Sequence, residues 1–351
     1  MYSSVFATEN VMPAETAQIV SQKETKANAL QRLSDLFTND MLCVNKIIIK
    51  NMQSDVVLIP QLASHLIAAG GKRVRPLLTI AAARLCAYDG KRPFNLAAAV
   101  EFIHTATLLH DDVVDASNQR RGQKSANAIF GNEASVLVGD FLFSRSFQLM
   151  VDDGSLDVLR ILSNASAIIA EGEVLQLVTT NNITTTQDQY LDVIASKTAA
   201  LFAAACEVGG VCAKATNEKI KALHDYGHYL GIAFQMSDDV LDYLSSADKM
   251  GKNVGDDFKE GKITLPVILA IQKSSDLEKE FWQRTFGDLK QEEGDLEKAI
   301  NLFKKYNSFE EGLKLSKIYA QKAKDSLNIF SESELRTILT DLIDFVVERD
   351  H

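Results

Sequence analysis

Prolines stand at positions 13, 60, 76, 93 and 266 of this 351-residue chain, so residues 94–265 run for 172 positions without one. Proline breaks helices because it lacks an N–H and clashes with the preceding turn. So long a stretch without it leaves room for several uninterrupted helices. Alanine triplets at 81–83, 97–99 and 203–205 suit close helix packing, and only 7% of residues are aromatic. A β-sandwich would need β-branched and aromatic alternation punctuated by turn residues. The expectation is all-α, a single large helical bundle with one core. A hydrophobic fraction of 46% against 24% charged residues excludes a mostly disordered chain.

Helical periodicity begins near Ala29, where Leu30, Leu33, Leu36 and Phe37 share a face. Residues 1–28 are polar and weakly periodic and read as a flexible N-terminal extension, leaving a helical domain over 29–351. Gly70-Gly71 followed by Pro76 reads as a helix stop and a helix start. Long helices are expected over 97–117, 134–150, 155–179, 187–212, 217–245 and 262–274. Beyond Gln272 the pattern turns charged and amphipathic, as for outer helices of the same domain.

The net charge of −10 argues against a nucleic-acid binder, though a local basic pocket for an anion remains compatible with it. Cys43, Cys86, Cys206 and Cys212 form no CxxC pair and read as free thiols in a reducing compartment. The longest apolar runs are broken by charges, so no membrane span is expected. The first forty residues carry Glu9, Glu15, Glu24, Asp35 and Asp40 and no apolar signal-like core, so the protein is expected to be cytoplasmic.

The chemistry concentrates in His110-Asp111-Asp112-Val113-Val114-Asp115. On a helix Asp111 and Asp115 share a face, and acids so close, set among apolar residues, repel one another without a counter-ion. Taken alone this is equally a solvated acidic face. The same D-D-x-x-D spacing recurs 127 positions later, at Asp238-Asp239-Val240-Leu241-Asp242, again within an apolar helix. Two such helices facing each other would cage Mg²⁺, which takes a few carboxylates plus water and substrate phosphates. Cations gather elsewhere. Gly70-Gly71-Lys72-Arg73-Val74-Arg75-Pro76 precedes a helix start, and Arg120-Arg121 follows the first acid motif. Guanidinium forks suit phosphate oxygens. Lys197 lies in Ser196-Lys197-Thr198, and Lys252 and Lys262 flank Gly255-Asp256-Asp257, a stretch able to close as a lid.

These motifs together resemble the trans-isoprenyl diphosphate synthases, and among them the long-chain polyprenyl (octaprenyl-type) synthases. The residues that carry the likeness are G-G-K-R-V-R-P at 70–76, E-F-I-H-T-A-T-L-L-H-D-D-V-V-D at 101–115 and R-R-G at 120–122. V-L-V-G-D-F at 136–141, A-E-G-E-V-L-Q-L at 170–177, S-K-T-A at 196–199, F-Q-x-x-D-D-x-x-D at 234–242 and G-K-N-V-G-D-D at 251–257 extend it. They run in order from about residue 30 to the C-terminus.

The resemblance implies the isoprenoid synthase fold, helices around a central cavity. It implies several Mg²⁺ ions per site, acting as Lewis acids in the departure of diphosphate from an allylic substrate such as farnesyl diphosphate. The double bond of isopentenyl diphosphate then attacks the allylic cation, and proton loss completes a five-carbon extension. By resemblance the catalytic set is Asp111, Asp112, Asp115, Lys197, Asp238 and Asp239, with Asp111, Asp115 and Asp238 as metal ligands. Lys72, Arg75, His104 and Arg121 would hold isopentenyl diphosphate. Arg120, Lys197, Thr198, Gln235, Lys252 and Lys262 would hold the allylic diphosphate.

His104 precedes Asp111 by two helical turns, on the same face, while His110 is assigned local hydrogen bonding only. Short-chain relatives carry bulky aromatic residues four and five positions before the first Asp. Here Thr107 and Ala106 are small, so a growing chain could pass, with Phe143 and Phe141 as candidate floor residues. The resemblance further implies a homodimer, a role in supplying the quinone (ubiquinone) side chain, and transient membrane contact for product release. A class I terpene cyclase would lack the second full acid motif and the basic segment, and a non-catalytic subunit would have lost acids from one motif.

Overall fold

The structure, a computed structural model, describes residues 28–68, 70–120, 122–244 and 255–348. Helices α1 (Ala29–Leu36), α2 (Thr38–Asn51), α3 (Leu58–Ala68) and α4 (Val74–Leu85) lead into the 23-residue α5 (Arg92–Val114). Pro93 lies in the first turn of α5, where a missing N–H costs nothing. The helix therefore begins five residues earlier than periodicity places it, and it ends earlier too, with Asp115 as C-cap and Ala116 turning at φ 48°. A two-residue antiparallel hairpin follows, β1 (Gln119–Arg120) with β2 (Gln123–Lys124).

Beyond α6 (Ala126–Phe130) come α7 (Asn132–Asp153) and α8 (Leu156–Thr179), separated by Gly154 in the left-handed conformation and Ser155, whose side chain caps α8. The expected helix 187–212 is not one regular helix. A Thr186/Gln189 capping box starts α9 (Gln187–Ile194), a π-helical segment occupies Ala195–Ala199, and α10 (Ala200–Cys212) continues the path. Next are α11 (Asn217–Leu244) and α12 (Asp256–Lys259). Helix α13 (Leu265–Lys273) starts later than expected, because Pro266 fixes its first turn and leaves residues 262–264 in a loop. The outer part contains α14 (Asp276–Trp282), α15 (Asp295–Lys305), α16 (Ser308–Ser326) and α17 (Glu334–Val347).

Small residues let these helices approach closely. Gly231 in α11 faces the π segment so tightly that a Cβ there would lie 2.6 Å from Ala199 Cα. Gly172 in α8 meets the same segment from another side, where a Cβ would fall 2.7 Å from Ser196 Cβ. The π segment is thus clamped between α8 and α11.

The expected single core is divided. One apolar cluster runs through α1–α5, α7, α8, α10 and the first half of α11, with Phe102 and Tyr226 fully buried in it. A second surrounds Trp282, whose ring stacks on Phe303 and whose Nε1 donates to Ser274 Oγ at 2.8 Å. Tyr319 packs against both. Among the described residues α7 and α8 are long and apolar enough, by length and composition, to cross a membrane. Within the bundle α7 packs along α5.

Candidate active site

The first acid motif closes α5, and its neighbouring aspartates have different surroundings. Asp112 is buried and gripped by Arg120, whose Nε and Nη2 donate to Oδ1 at 2.9 and 2.7 Å and whose Nε also reaches Oδ2 at 3.1 Å. The hairpin after α5 brings Arg120 there, so this pair is a buried ionic staple at the site's edge. Asp111 is only partly buried and stands 3.8 Å from Lys197 Nζ. Burial raises its pKa to about 7, opposed by Lys197 and reinforced by Glu173 and Asp115. Asp115 accepts from Lys262 Nζ at 3.2 Å. Burial disfavours the charge on Lys262, but Asp115, Asp257 and Glu260 around it outweigh that and hold its pKa above the usual lysine value.

The second motif lies near the C-terminal end of α11. Asp238 is half-buried, Asp239 and Asp242 are buried. Both oxygens of Asp239 are engaged: Tyr190 donates to Oδ2 at 2.6 Å and Gln235 Nε2 to Oδ1 at 2.7 Å. Burial pushes the Asp239 carboxyl up to about 8, with Asp257 adding to the shift. Asp242 anchors the start of α12, its Oδ2 accepting from Asp257 N–H at 3.2 Å and its carbonyl from Gly255 N–H at 3.0 Å.

Between the motifs lies the π segment, a rare geometry frequent at functional sites. It makes successive residues serve both helices. Lys197 Nζ donates to Glu173 Oε2 at 2.7 Å beside Asp111, while Thr198 Oγ1 donates to Gln235 Oε1 at 2.8 Å beside the second motif. A cavity of about 180 Å³ is lined by Lys197, Thr198, Gln235, Asp239, Asp257 and Lys262. A larger one, about 990 Å³, opens against Ala195 and Ser196 and is lined by none of the motif acids.

The basic segment enters α4 through Arg73, its N-cap, held at a left-handed φ of 49° and paired with the buried Glu101. Arg75 Nη1 lies 3.1 Å from His104 Nε2. Arginine can only donate, so His104 accepts at Nε2 and carries its proton on Nδ1. Burial lowers the Arg75 pKa to about 10, opposed by Glu101, and the guanidinium sits 4.3 Å over the Phe202 ring. Its Nε is buried without a partner, a donor left for a ligand. Lys72 is exposed, with Nζ 5.7 Å from the Phe345 ring.

Of the chain-length candidates, Ala106 is fully buried, Thr107 bonds back to the His104 carbonyl at 2.9 Å, and Phe143 packs edge-on against Phe147. His110 reaches across to Val136 O at 3.2 Å over Gly139, where a Cβ would meet its ring. Arg121, Lys252 and nearly all of the N-terminal extension lie outside the described residues. Glu173, Glu101 and Tyr190 are site residues to which sequence reasoning gave no role. Glu173 lay within a recognised motif, beside the Gly172 that permits the close helix contact.

Among the described residues no three Asp, Glu, His or Cys side chains make a complete metal cage. The donors are nonetheless hard oxygens, and two lysine ammonium groups stand beside Asp111 and Asp115 as built-in cations. That set fits Mg²⁺ completed by water and phosphate oxygens.

The sequence profile of the polyprenyl synthetase family matches residues 56–303. The chain belongs to that family. It is 44% identical over 325 residues to the octaprenyl diphosphate synthase of Escherichia coli (strain K12), covering 92% of this chain and 99% of that one. In structure it is similar to a decaprenyl diphosphate synthase from Rhodobacter capsulatus, with a TM-score of 0.88, 51% identity and coverage of 91% and 98%. A polyprenyl synthase from Caulobacter crescentus CB15, solved with calcium and isoprenyl diphosphate, gives a TM-score of 0.88, 52% identity and the same coverage. The all-α isoprenoid synthase architecture of the family and its prenyltransferase class agree with the expectations drawn from the motifs.

Proposed function

We propose that this protein is a long-chain all-trans-polyprenyl diphosphate synthase of octaprenyl or decaprenyl type. It adds isopentenyl units to an allylic diphosphate such as farnesyl diphosphate and supplies a quinone side chain, that of ubiquinone. The observation that carries the reading is the placement of Lys197 and Thr198, adjacent residues of which the first stands 3.8 Å from Asp111 and the second donates to Gln235 beside the second acid motif.

The residues divide the work between two diphosphates. Lys72, Arg75 and His104, with Arg121, hold isopentenyl diphosphate, the unpaired Arg75 Nε supplying a buried donor. Lys197 and Lys262 hold the allylic diphosphate against Asp111, Asp115 and Asp238, the residues that would hold Mg²⁺. When bound, that ion supplies Lewis-acid stabilisation of the departing diphosphate. Arg120 supports Asp112 rather than a substrate in this arrangement. The apolar α5 surface beyond Ala106 and Thr107 receives the growing chain and keeps water from the cation.

A homodimer accounts for the outer faces of α7 and α8, where Leu137, Val151, Val174, Leu177 and Val178 are exposed, a density of apolar surface that marks interfaces. The protein acts in the cytoplasm and meets a membrane transiently to release its product. The test is incubation of the chain alone with farnesyl diphosphate, labelled isopentenyl diphosphate and Mg²⁺, followed by mass analysis of the products. Products in the octaprenyl to decaprenyl range are expected. No extension by the chain alone would favour a subunit that needs a partner.

A further inference from the structure

Tyr190 belongs to none of the motifs, yet it terminates a chain of three hydrogen bonds through the allylic half of the site. The phenol donates to Asp239 Oδ2 at 2.6 Å, Gln235 Nε2 donates to Asp239 Oδ1 at 2.7 Å, and Thr198 Oγ1 donates to Gln235 Oε1 at 2.8 Å. Polarity runs one way along it. Both Asp239 oxygens accept, from the Tyr190 hydroxyl and the Gln235 amide, so Gln235 turns its N–H₂ to Asp239 and its carbonyl to Thr198. The single hydroxyl proton of Thr198 is thereby committed to Gln235. That disagrees with Thr198 as a donor to the allylic diphosphate, and it leaves the residue another task.

That task follows from the π segment. A π turn lacks the regular ladder of an α-helix, and here the glycine contacts at Gly172 and Gly231 confine it without directing its side chains. Thr198 is buried and tied to α11 through Gln235, and its neighbour is Lys197, which reaches Glu173 and Asp111. We propose that Tyr190, Asp239, Gln235 and Thr198 form a relay that aims Lys197, and that Tyr190 is a positioning residue for allylic diphosphate binding. The second Asp of the second motif thus acts as the hub of a polar network, and Tyr190 supplies the donor that occupies its other oxygen. A fully satisfied buried network of this kind fixes one arrangement, while a half-satisfied one does not.

The inference rests on the prenyl-transfer reading. Its test is the affinity of the full chain for farnesyl thiodiphosphate with magnesium chloride, measured by titration calorimetry, alongside KM for both substrates. Tyr190→Phe is expected to weaken analogue binding about tenfold, the effect of one lost buried hydrogen bond. KM for isopentenyl diphosphate should stay within about twofold. Thr198→Val should show a similar loss, the double variant should be no worse than either single one, and Thr198→Ser should restore binding. Tyr226→Phe is the stability control, since that hydroxyl is equally buried but bonds Leu339 O at 3.0 Å. It should lower Tm without altering analogue affinity. Additive losses in the double variant, or equal effects of Tyr190→Phe on both substrates, overturn the relay. A parent chain that binds no analogue overturns the functional reading and the relay together.

Discussion

Lys262 donates to Asp115 Oδ2 at 3.2 Å across 147 positions of sequence, tying the loop before α13 to the end of α5. The same ammonium is attracted by Asp257 and Glu260. It is the local counter-charge for three acids drawn from two separate segments, the end of α5 and the α12 turn.

Lys262→Ala should therefore leave those carboxylates facing one another. In buffer containing EDTA the expected loss is about 2 kcal/mol, a fall in Tm of a few degrees. Millimolar Mg²⁺ should restore part of it, because a cation that binds only the folded state stabilises by mass action. A melting series with and without the ion checks this. Equal losses in both buffers would show that Lys262 serves packing alone.

Asp111 gives a dependence on pH. Its folded-state pKa, about 7, lies above the ordinary aspartate value of 3.8, so between those limits the folded protein binds more protons than the unfolded chain. Stability supplied by the protonated group is present below pH 3.8 and is lost as pH rises through 7. Asp111→Asn removes the titrating group. In EDTA its Tm advantage over the parent should grow from pH 5 to pH 8, and a constant difference would contradict the burial argument. Metal binding displaces protons, so the Mg²⁺ concentration giving half-maximal activity should fall over the same range.

The seat of the π segment depends on a missing side chain. Gly172→Ala would place a Cβ 2.7 Å from Ser196 Cβ, within the segment that aims Lys197. Alanine gains up to about 1 kcal/mol of helix propensity, against an overpacking cost of ~1–3 kcal/mol, so the net change in Tm should be small. Affinity for the allylic diphosphate should fall several-fold all the same. Steady-state kinetics with each substrate varied in turn, beside a melting curve, distinguishes this from general destabilisation.

The sequence was legible where a local rule acts. The i, i+4 acids and the spacing of Gly70-Gly71 and Pro76 each report one element without its neighbours, whereas periodicity alone passes over the first-turn prolines Pro93 and Pro266 that set where two helices begin. It was not legible where the deciding partner is distant. Residues 187–212 keep helical periodicity throughout, and only the close approach of Gly172 and Gly231 shows why 195–199 widens to a π turn. Asp111 and Asp112 are identical letters. Their separation into an acid beside Lys197 and a staple for Arg120 depends on a hairpin that two-residue strands do not announce. The division of the core around Trp282 likewise comes from packing of the outer helices, whose amphipathic pattern is the same in either arrangement.

Product length should respond to Ala106. It is fully buried, five residues before Asp111, on the helix that packs along α7. Ala106→Phe adds a ring at a fully buried position, with an overpacking cost of ~1–3 kcal/mol. If the growing chain passes this point, the ring stops it early. Thin-layer separation of the dephosphorylated products should then show chains shorter by several isoprene units, while Phe143→Ala should shift the distribution towards longer ones. A folded Ala106→Phe variant that makes products of parental length would mean that the chain takes another route past α5.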